Sequence, residues 1–243
     1  MAVYIGRVLG DTNEDGKIDV VDIARVAKVF GQNVPPAPDN CDINMDGKID
    51  ARDLAIPCRH FGAYNTVVNS GFEDGMTGWT FHPGYKGSWG YPCGRAYRGK
   101  YGFCMGSDIK FGDYAFICSL SQQPLPATKN YLFTIAFLMA DLEKLVIQPV
   151  GITAWNTHGG AAIDVSGIGG YSGYEFEPFN YNLLELRQGD DGRTVVYINN
   201  EKILEGTRNP ITMDKVEILL YAIGEDTDHA EVWFDEVRVY RIV

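Results

Sequence analysis

The chain has 243 residues, is 45% hydrophobic and carries a formal net charge of −11. That length supports one large core beside a small domain, and an acidic chain without a basic patch excludes a nucleic-acid partner. No stretch is apolar over the roughly 18 residues that a membrane helix needs, so no membrane span is expected.

Residues 2–9 (AVYIGRVL) are too short and carry the wrong flanks for a signal peptide, so a secreted protein is expected in mature or trimmed form. The same apolar stretch has the character of a strand that could add to a neighbour's sheet.

The next residues are the most informative. Residues 11–22 read DTNEDGKIDVVD, and the pattern returns at residues 42–53 as DINMDGKIDARD. Calcium takes six to eight oxygens, and a twelve-residue loop supplies them from alternate positions around a glycine turn at position six. In the first loop Asp11, Asn13 and Asp15 offer side-chain oxygens, Lys17 its carbonyl, Asp19 a water-mediated contact, and Asp22 closes the shell. Asp42, Asn44, Asp46, Lys48, Asp50 and Asp53 repeat the set, with Gly16 and Gly47 at the turns. Two calcium ions are therefore expected. Ile18 and Ile49, at position eight, should point inward and tie the two loops together.

Position twelve is Asp rather than Glu, and no helix-like segment precedes the first loop. Loop, then helix, then Phe30-Gly31 or Phe61-Gly62, led in by Val8-Leu9-Gly10, resembles the type I dockerin module over about residues 6–62. The resemblance implies a duplicated loop-helix unit with two calcium ions and docking onto cohesin through loop positions ten and eleven, often a Ser/Thr pair. Those positions hold Val20-Val21 and Ala51-Arg52 here, which leaves cohesin a doubtful partner.

Weak all-aspartate loops suit the millimolar calcium outside cells, and the cysteines fit the same extracellular or cell-surface location. Cys41 and Cys58 bracket the second loop closely enough to pair. One further pair is expected among Cys93, Cys104 and Cys118, leaving one thiol free. The alternative is five reduced, buried cysteines.

Past Gly62 the composition turns to glycine, aromatics and short β-branched runs, giving domains at 1–62 and 63–243 and an all-β second domain. Strands are predicted at residues 131–140, 145–154, 182–187, 194–199, 216–223 and 230–240. Asp190-Asp191-Gly192 and Asn199-Asn200 have turn chemistry around a hairpin arm, RTVVYI. The whole suggests a jelly-roll β-sandwich. In the last strand Val232 and Phe234 fall on one parity and Val237 and Val239 on the other. Either a bulge near Asp235-Glu236 or burial of both faces is required.

Asn69-Ser70-Gly71-Phe72-Glu73 with Gly78-Trp79 is similar to the opening of jelly-roll carbohydrate-binding modules. Residues 191–200 and the closing FDEVRVY resemble laminin-G and concanavalin-like lectin sandwiches. The first resemblance implies a structural calcium between an early Glu and a late Asp, here Glu73 and Asp235. A turn cap and an exposed strand residue are the plain alternative.

Residues 79–103 interleave eight aromatic residues with glycines, a composition suited to an exposed surface for the apolar face of a sugar, or for a protein partner. Tyr85, Trp89 and Tyr91 are expected to be exposed and Trp79 buried. Trp155, beside Thr157-His158-Gly159-Gly160, is a second candidate contact. The four histidines lack metal-ligand spacing, and Glu175 and Glu177, although on one face of a strand pattern, match no glucanase signature, so no enzyme is expected.

The sequence thus describes a non-catalytic, extracellular calcium-binding protein that attaches to glycan or to a surface protein. The alternative is a calcium-dependent subunit that polymerises, through its N-terminal strand, into a filament, tube or surface layer.

Overall fold

The computed structural model describes residues 10–44, 46–108, 115–139, 143–157, 160–174, 181–223 and 229–243. They fall into two compact units: the described chain up to Thr66 together with Val239–Val243, and Val67–Arg238. Nothing in the composition change after Gly62 announces that the last five residues belong with the first unit. The apolar stretch at residues 2–9 lies outside the described residues.

In the small unit each acidic loop runs into a nine-residue helix, α1 (Val20–Lys28) and α2 (Ala51–Arg59). The same residues start both. Asp19 and Asp50 are N-caps, accepting from Val21 N at 2.7 Å and Arg52 N at 2.8 Å, while Asp22 and Asp53 at the third helical position accept from the cap amides at 2.9 and 2.8 Å. These are complete capping boxes, with Asp taking the part usually played by Glu. A buried cluster of Val26, Ala37, Cys41, Ile43 and Ile49 fills the space beside the helices.

Ile18 and Ile49 do point inward, 1% and 0% exposed. Their main-chain partners, however, are the exits of the opposite helices rather than each other. Ile18 N donates to Ala63 O at 2.9 Å and Gly62 N to Ile18 O at 2.8 Å; Ile49 N donates to Gln32 O at 2.9 Å and Gly31 N to Ile49 O at 2.8 Å. This crossing explains the repeated Phe-Gly. Gly31 and Gly62 have φ of 82° and 90°, the left-handed conformation that ends each helix and returns the chain to the other loop.

The chain then forms β1 (Tyr64–Asn65), β2 (Thr80–Pro83), β3 (Ser88–Cys93), β4 (Gly102–Ser107), β5 (Ala115–Gln122), β6 (Tyr131–Met139), β7 (Glu143–Gln148), β8 (Ile152–Thr157) and β9 (Gly160–Val165). It ends with β10 (Gly169–Tyr174), β11 (Asn182–Gln188), β12 (Arg193–Ile198), β13 (Glu201–Thr207), β14 (Val216–Ala222) and β15 (Ala230–Arg241). β1 pairs with the last residues of β15, Tyr64 opposite Arg241 and Asn65 opposite Tyr240, within the small unit.

The large unit is a jelly-roll β-sandwich with sheet orders β13-β12-β11-β6-β15-β4-β3 and β10-β9-β8-β7-β14-β5-β2. Alternation sets the inner faces: Val216, Ile218, Leu220 and Ala222 of β14 are buried, as are Thr194, Val196 and Ile198 of β12. Phe72 plugs one end of the core, its ring centroid 5.2 Å from Trp79, 5.3 Å from Phe103 and 5.8 Å from Phe234. The expected strand at residues 145–154 is two strands, β7 and β8, because Pro149, Val150 and Gly151 (φ 70°) turn the chain between them. RTVVYI is an arm of two hairpins, and Asn199 and Asn200 take φ of 48° and 69° at its far turn. In β15 Phe234 to Tyr240 are all buried, so both faces are covered there, and Glu236 adopts a φ of 52°.

All five cysteines are free in this structure. Cys41 is buried and Cys58 exposed, so the pair expected around the second loop is not formed.

Glu185 sits on β11 between Thr134 and Tyr197 of the flanking strands, 2% exposed, with no hydrogen-bond partner for Oε1 among the described residues. Burial pushes its carboxyl up to about 8. The folded state therefore holds a proton that an unfolded glutamate releases near pH 4.3, so this contribution to stability is full below that pH and is lost as pH rises toward 8. Glu185→Gln should leave stability nearly unchanged at about pH 5 and raise it by on the order of a few kcal/mol at about pH 9. Urea unfolding at the two pH values checks this; equal shifts at both would contradict it.

Candidate functional site

Three groups of residues carry the functional expectations. The first is the pair of loops. Gly16 and Gly47 turn them with φ of 82° and 87°. In the first, Asp11 Oδ2 accepts from Gly16 N at 3.1 Å, Asn13 Nδ2 donates to Asp15 Oδ2 at 2.9 Å, and Asp15 Oδ1 accepts from Lys17 N at 2.9 Å. The second repeats this with Asp42 and Gly47 at 3.0 Å, Asn44 and Asp46 at 3.0 Å, and Asp46 and Lys48 at 3.1 Å. Asp22 Oδ1 gathers the amides of Thr12 and Asn13 at 2.7 and 3.2 Å; Asp53 Oδ1 gathers those of Ile43 and Asn44 at 2.7 and 3.1 Å.

Asp11, Asp22, Asp42 and Asp53 are all buried, with exposures of 0–4%. Among the described residues no three acidic, His or Cys side chains converge into a ready cage, since the loop carboxylates are turned toward loop amides. The donor chemistry still fits a hard cation: the loops offer carboxylate, amide and carbonyl oxygens only, around a glycine turn. Asp11, Asn13, Asp15, Lys17 O, Asp19 and Asp22 would hold one ion, and Asp42, Asn44, Asp46, Lys48 O, Asp50 and Asp53 another. Bound calcium would supply the positive charge that offsets these buried carboxylates.

Sequence reasoning missed one partner. The Tyr240 hydroxyl donates to Asp11 Oδ2 at 2.8 Å, and Tyr240 is fully buried in the small unit. A tyrosine 229 residues from its acceptor leaves no local sequence signal.

The second group is Glu73 and Asp235, and the structure brings both to one loop. Glu73 Oε1 accepts from Lys100 N and Tyr101 N at 2.6 and 3.0 Å; Asp235 Oδ2 accepts from Tyr97 N and Arg98 N, both at 2.9 Å, and its Oδ1 from Glu236 N at 2.7 Å. Burial lifts the Asp235 carboxyl to about 7, although these amides pull it back down. Both carboxylates clasp the loop at residues 97–101 by its amides.

The third group is aromatic, and the glycine-rich segment divides it. Trp79 is buried as expected, and Phe103 joins it in the core. Arg95 lies 4.4 Å over the Trp233 ring, Tyr97 packs edge-on to Tyr181 with centroids 5.7 Å apart, and the Tyr181 hydroxyl donates to Arg95 O at 2.7 Å. This part of the segment covers the sheet.

Trp89 and Tyr91 remain, side by side on the outer face of edge strand β3 with centroids 5.4 Å apart and ring planes 35° from parallel. Gly106, opposite Trp89, lets the indole lie on β4: a Cβ there would come within 3.0 Å of the Trp89 ring. Trp89 Nε1 donates to Asp108 Oδ2 at 3.2 Å, Asp108 Oδ1 meets His229 Nδ1 at 2.8 Å, and His229 Nε2 meets Glu231 Oε2 at 3.2 Å. Tyr91 is 52% exposed; Trp89 and Tyr85 are half-buried. Trp155 lies on β8 of the other sheet, with Lys144 Nζ 5.6 Å from its ring, so it does not extend the Trp89–Tyr91 surface. Glu175, Glu177, His158 and Gly159 lie outside the described residues.

Residues 9–60 match the family described as Dockerin type I domain. No curated protein matches the chain by sequence. Among solved structures, the chain is similar to a conserved carbohydrate esterase from Shiga toxin-encoding bacteriophage phi24B, at 12% identity and a TM-score of 0.50, covering 75% of this chain and 100% of that one. It is also similar to TmCBM61, solved in complex with beta-1,4-galactotriose, at 17% identity and a TM-score of 0.40 over 73% of this chain and 98% of that one. A sialidase matches at 12% identity and a TM-score of 0.47 over 68% of this chain, which spans only 17% of the sialidase. At such identities the likeness is one of fold. The chain joins a dockerin type I-like module to a jelly-roll β-sandwich.

Proposed function

We propose that this is a non-catalytic, extracellular attachment protein whose small module is set by calcium and whose sandwich holds carbohydrate on the edge strand β3. The Trp89–Tyr91 pair carries the reading. Two neighbouring rings on an outer face offer an apolar platform of the kind a sugar's C–H face stacks on, and Asp108, His229 and Glu231 supply hydrogen-bonding groups at its rim. The match to dockerin, a family of secreted, calcium-binding modules, supports the location and the ion. No helix of the described residues is long and apolar enough to cross a membrane.

A second reading rests on the small unit. Val20 and Val21, at loop positions ten and eleven, are 66% and 47% exposed, and Phe30 and Phe61 are 50% and 57% exposed. The equivalent positions of the second loop, Ala51 and Arg52, are exposed as well. Apolar residues standing free at the start of a helix favour a protein contact, either with a surface partner or with another copy of this chain in a polymer. Size-exclusion chromatography with and without calcium separates the two: a calcium-dependent shift to large species supports the polymer, and a monomer in both conditions removes it.

Calcium should raise the melting temperature of the small unit and chelation should lower it, as followed by amide exchange at residues 10–66. Calorimetric titration should show two sites. Tyr240→Phe should weaken the Asp11 site by about 10-fold or more, as loss of a ligand-orienting hydrogen bond does, and leave the Asp42 site unchanged. Equal weakening of both sites would contradict the assignment.

On arrays of β-linked galactans and glucans, Trp89→Ala and Tyr91→Ala should each reduce retention by about 1–3 kcal/mol equivalent, while Trp155→Ala should not. Unchanged retention in the Trp89 and Tyr91 variants would remove β3 from the binding surface.

A further inference from the structure

We propose that Cys93 and Cys104 close into a disulfide in an oxidising compartment, fastening edge strand β3 to β4. The sequence leaves three pairings open among Cys93, Cys104 and Cys118; the sheet topology selects one. β3 and β4 are neighbours with Tyr91 opposite Cys104 and Cys93 opposite Gly102, so the two cysteines share a face, one pair apart along the ladder. Cys93 Sγ donates to Arg95 O at 3.9 Å and Cys104 Sγ to Tyr91 O at 3.4 Å, and each thiol shifts the other's titration. Gly102 puts no side chain across from Cys93. Cys118 lies on β5 in the other sheet, fully buried, and Cys41 and Cys58 belong to the small unit.

The two thiols differ in a way that orders the chemistry. Cys93 is half-buried and Cys104 is 2% exposed. The neighbouring Cys104 thiol brings Cys93 down to about 7, and the neighbouring Cys93 thiol, together with burial, pushes Cys104 up. Cys93 is therefore the attacking thiolate and Cys104 the resolving thiol.

With a small-molecule disulfide as oxidant, the Cys93 thiolate attacks one sulfur, forming a mixed disulfide and releasing one thiolate, which takes up a proton. Cys104 then gives up its proton, attacks Cys93 Sγ and expels the second thiol. Two protein thiols and one external disulfide become one protein disulfide and two external thiols; the protein loses two electrons and two protons.

The consequence is local to β3. An edge strand is held by hydrogen bonds on one side only, and β3 carries Trp89 and Tyr91. A covalent tie at its Cys93 end limits fraying there, whether or not those rings bind carbohydrate.

The test uses the full chain, reduced and then exposed to oxidised glutathione under native conditions. Titratable thiols in denaturant should fall from five to three. Trypsin can cut after Arg95, Arg98 and Lys100, so a non-reducing digest should contain residues 87–95 joined to residues 101–110, and reductant should separate them. Cys118→Ser should retain the link and Cys93→Ser should abolish it. A link that includes Cys118, a glutathione adduct that persists on Cys93, or five thiols after oxidation would each overturn the proposal.

Discussion

Asp22 and Asp53 each accept three backbone N–H groups, two from the start of their own loop and one from the N-cap of their own helix. One carboxylate thereby closes a twelve-residue loop and starts a helix at once. A buried carboxylate is costly unless its lone pairs are filled, so this satisfaction fixes the loop's shape and the point at which the helix begins. The choice of aspartate follows from it. Its shorter side chain, at the third helical position, reaches the cap amide at 2.8–2.9 Å while its other oxygen stays on the loop.

Around those two carboxylates the module is built by exchange. Each loop's position-eight isoleucine pairs with the chain leaving the other helix, so neither half is complete alone. A unit with so few core residues gains cooperativity from this crossing: loosening one loop removes the main-chain partners of the other half's exit. Calcium would act on the same point, since neutralising one loop's carboxylates also steadies the chain that follows the opposite helix.

The duplicated loops were legible in the sequence because calcium chemistry demands specific atoms at fixed spacing, and the sandwich because burial on one face imposes alternation. β12 and β14 show that alternation plainly, and both were read. β3 (SWGYPC), β4 (GFCMGS) and β10 (GGYSGY) were not, because glycine and serine give no alternation and little strand preference. At the candidate sites the sequence supplied the residue types but not the groupings. Trp89 and Tyr91 share a face because period two puts them there, whereas Trp155 is remote because β8 belongs to the other sheet. Glu73 and Asp235, far apart in sequence, both accept from amides of the loop at residues 97–101.

The two loops are near copies in sequence and in hydrogen-bond lengths, yet their surroundings differ. Lys17 of the first loop bridges to Tyr64, whose strand pairs with Arg241 and Tyr240; Lys48 of the second bridges to Asn33, within the stretch that joins the halves. The first loop is therefore completed by residues that follow the module, at 64–65 and 240–241, and the second from within the module. A module cut at residues 9–60, the span of the dockerin match, would keep both sets of ligands but lose β1 and Tyr240. Such a fragment would also lose Gly62 and Ala63, the main-chain partners of Ile18, while Gly31 and Gln32, the partners of Ile49, would stay in place. The duplication supplied two equivalent sites; the residues beyond it, at 64–65 and 240–241, are what make them different.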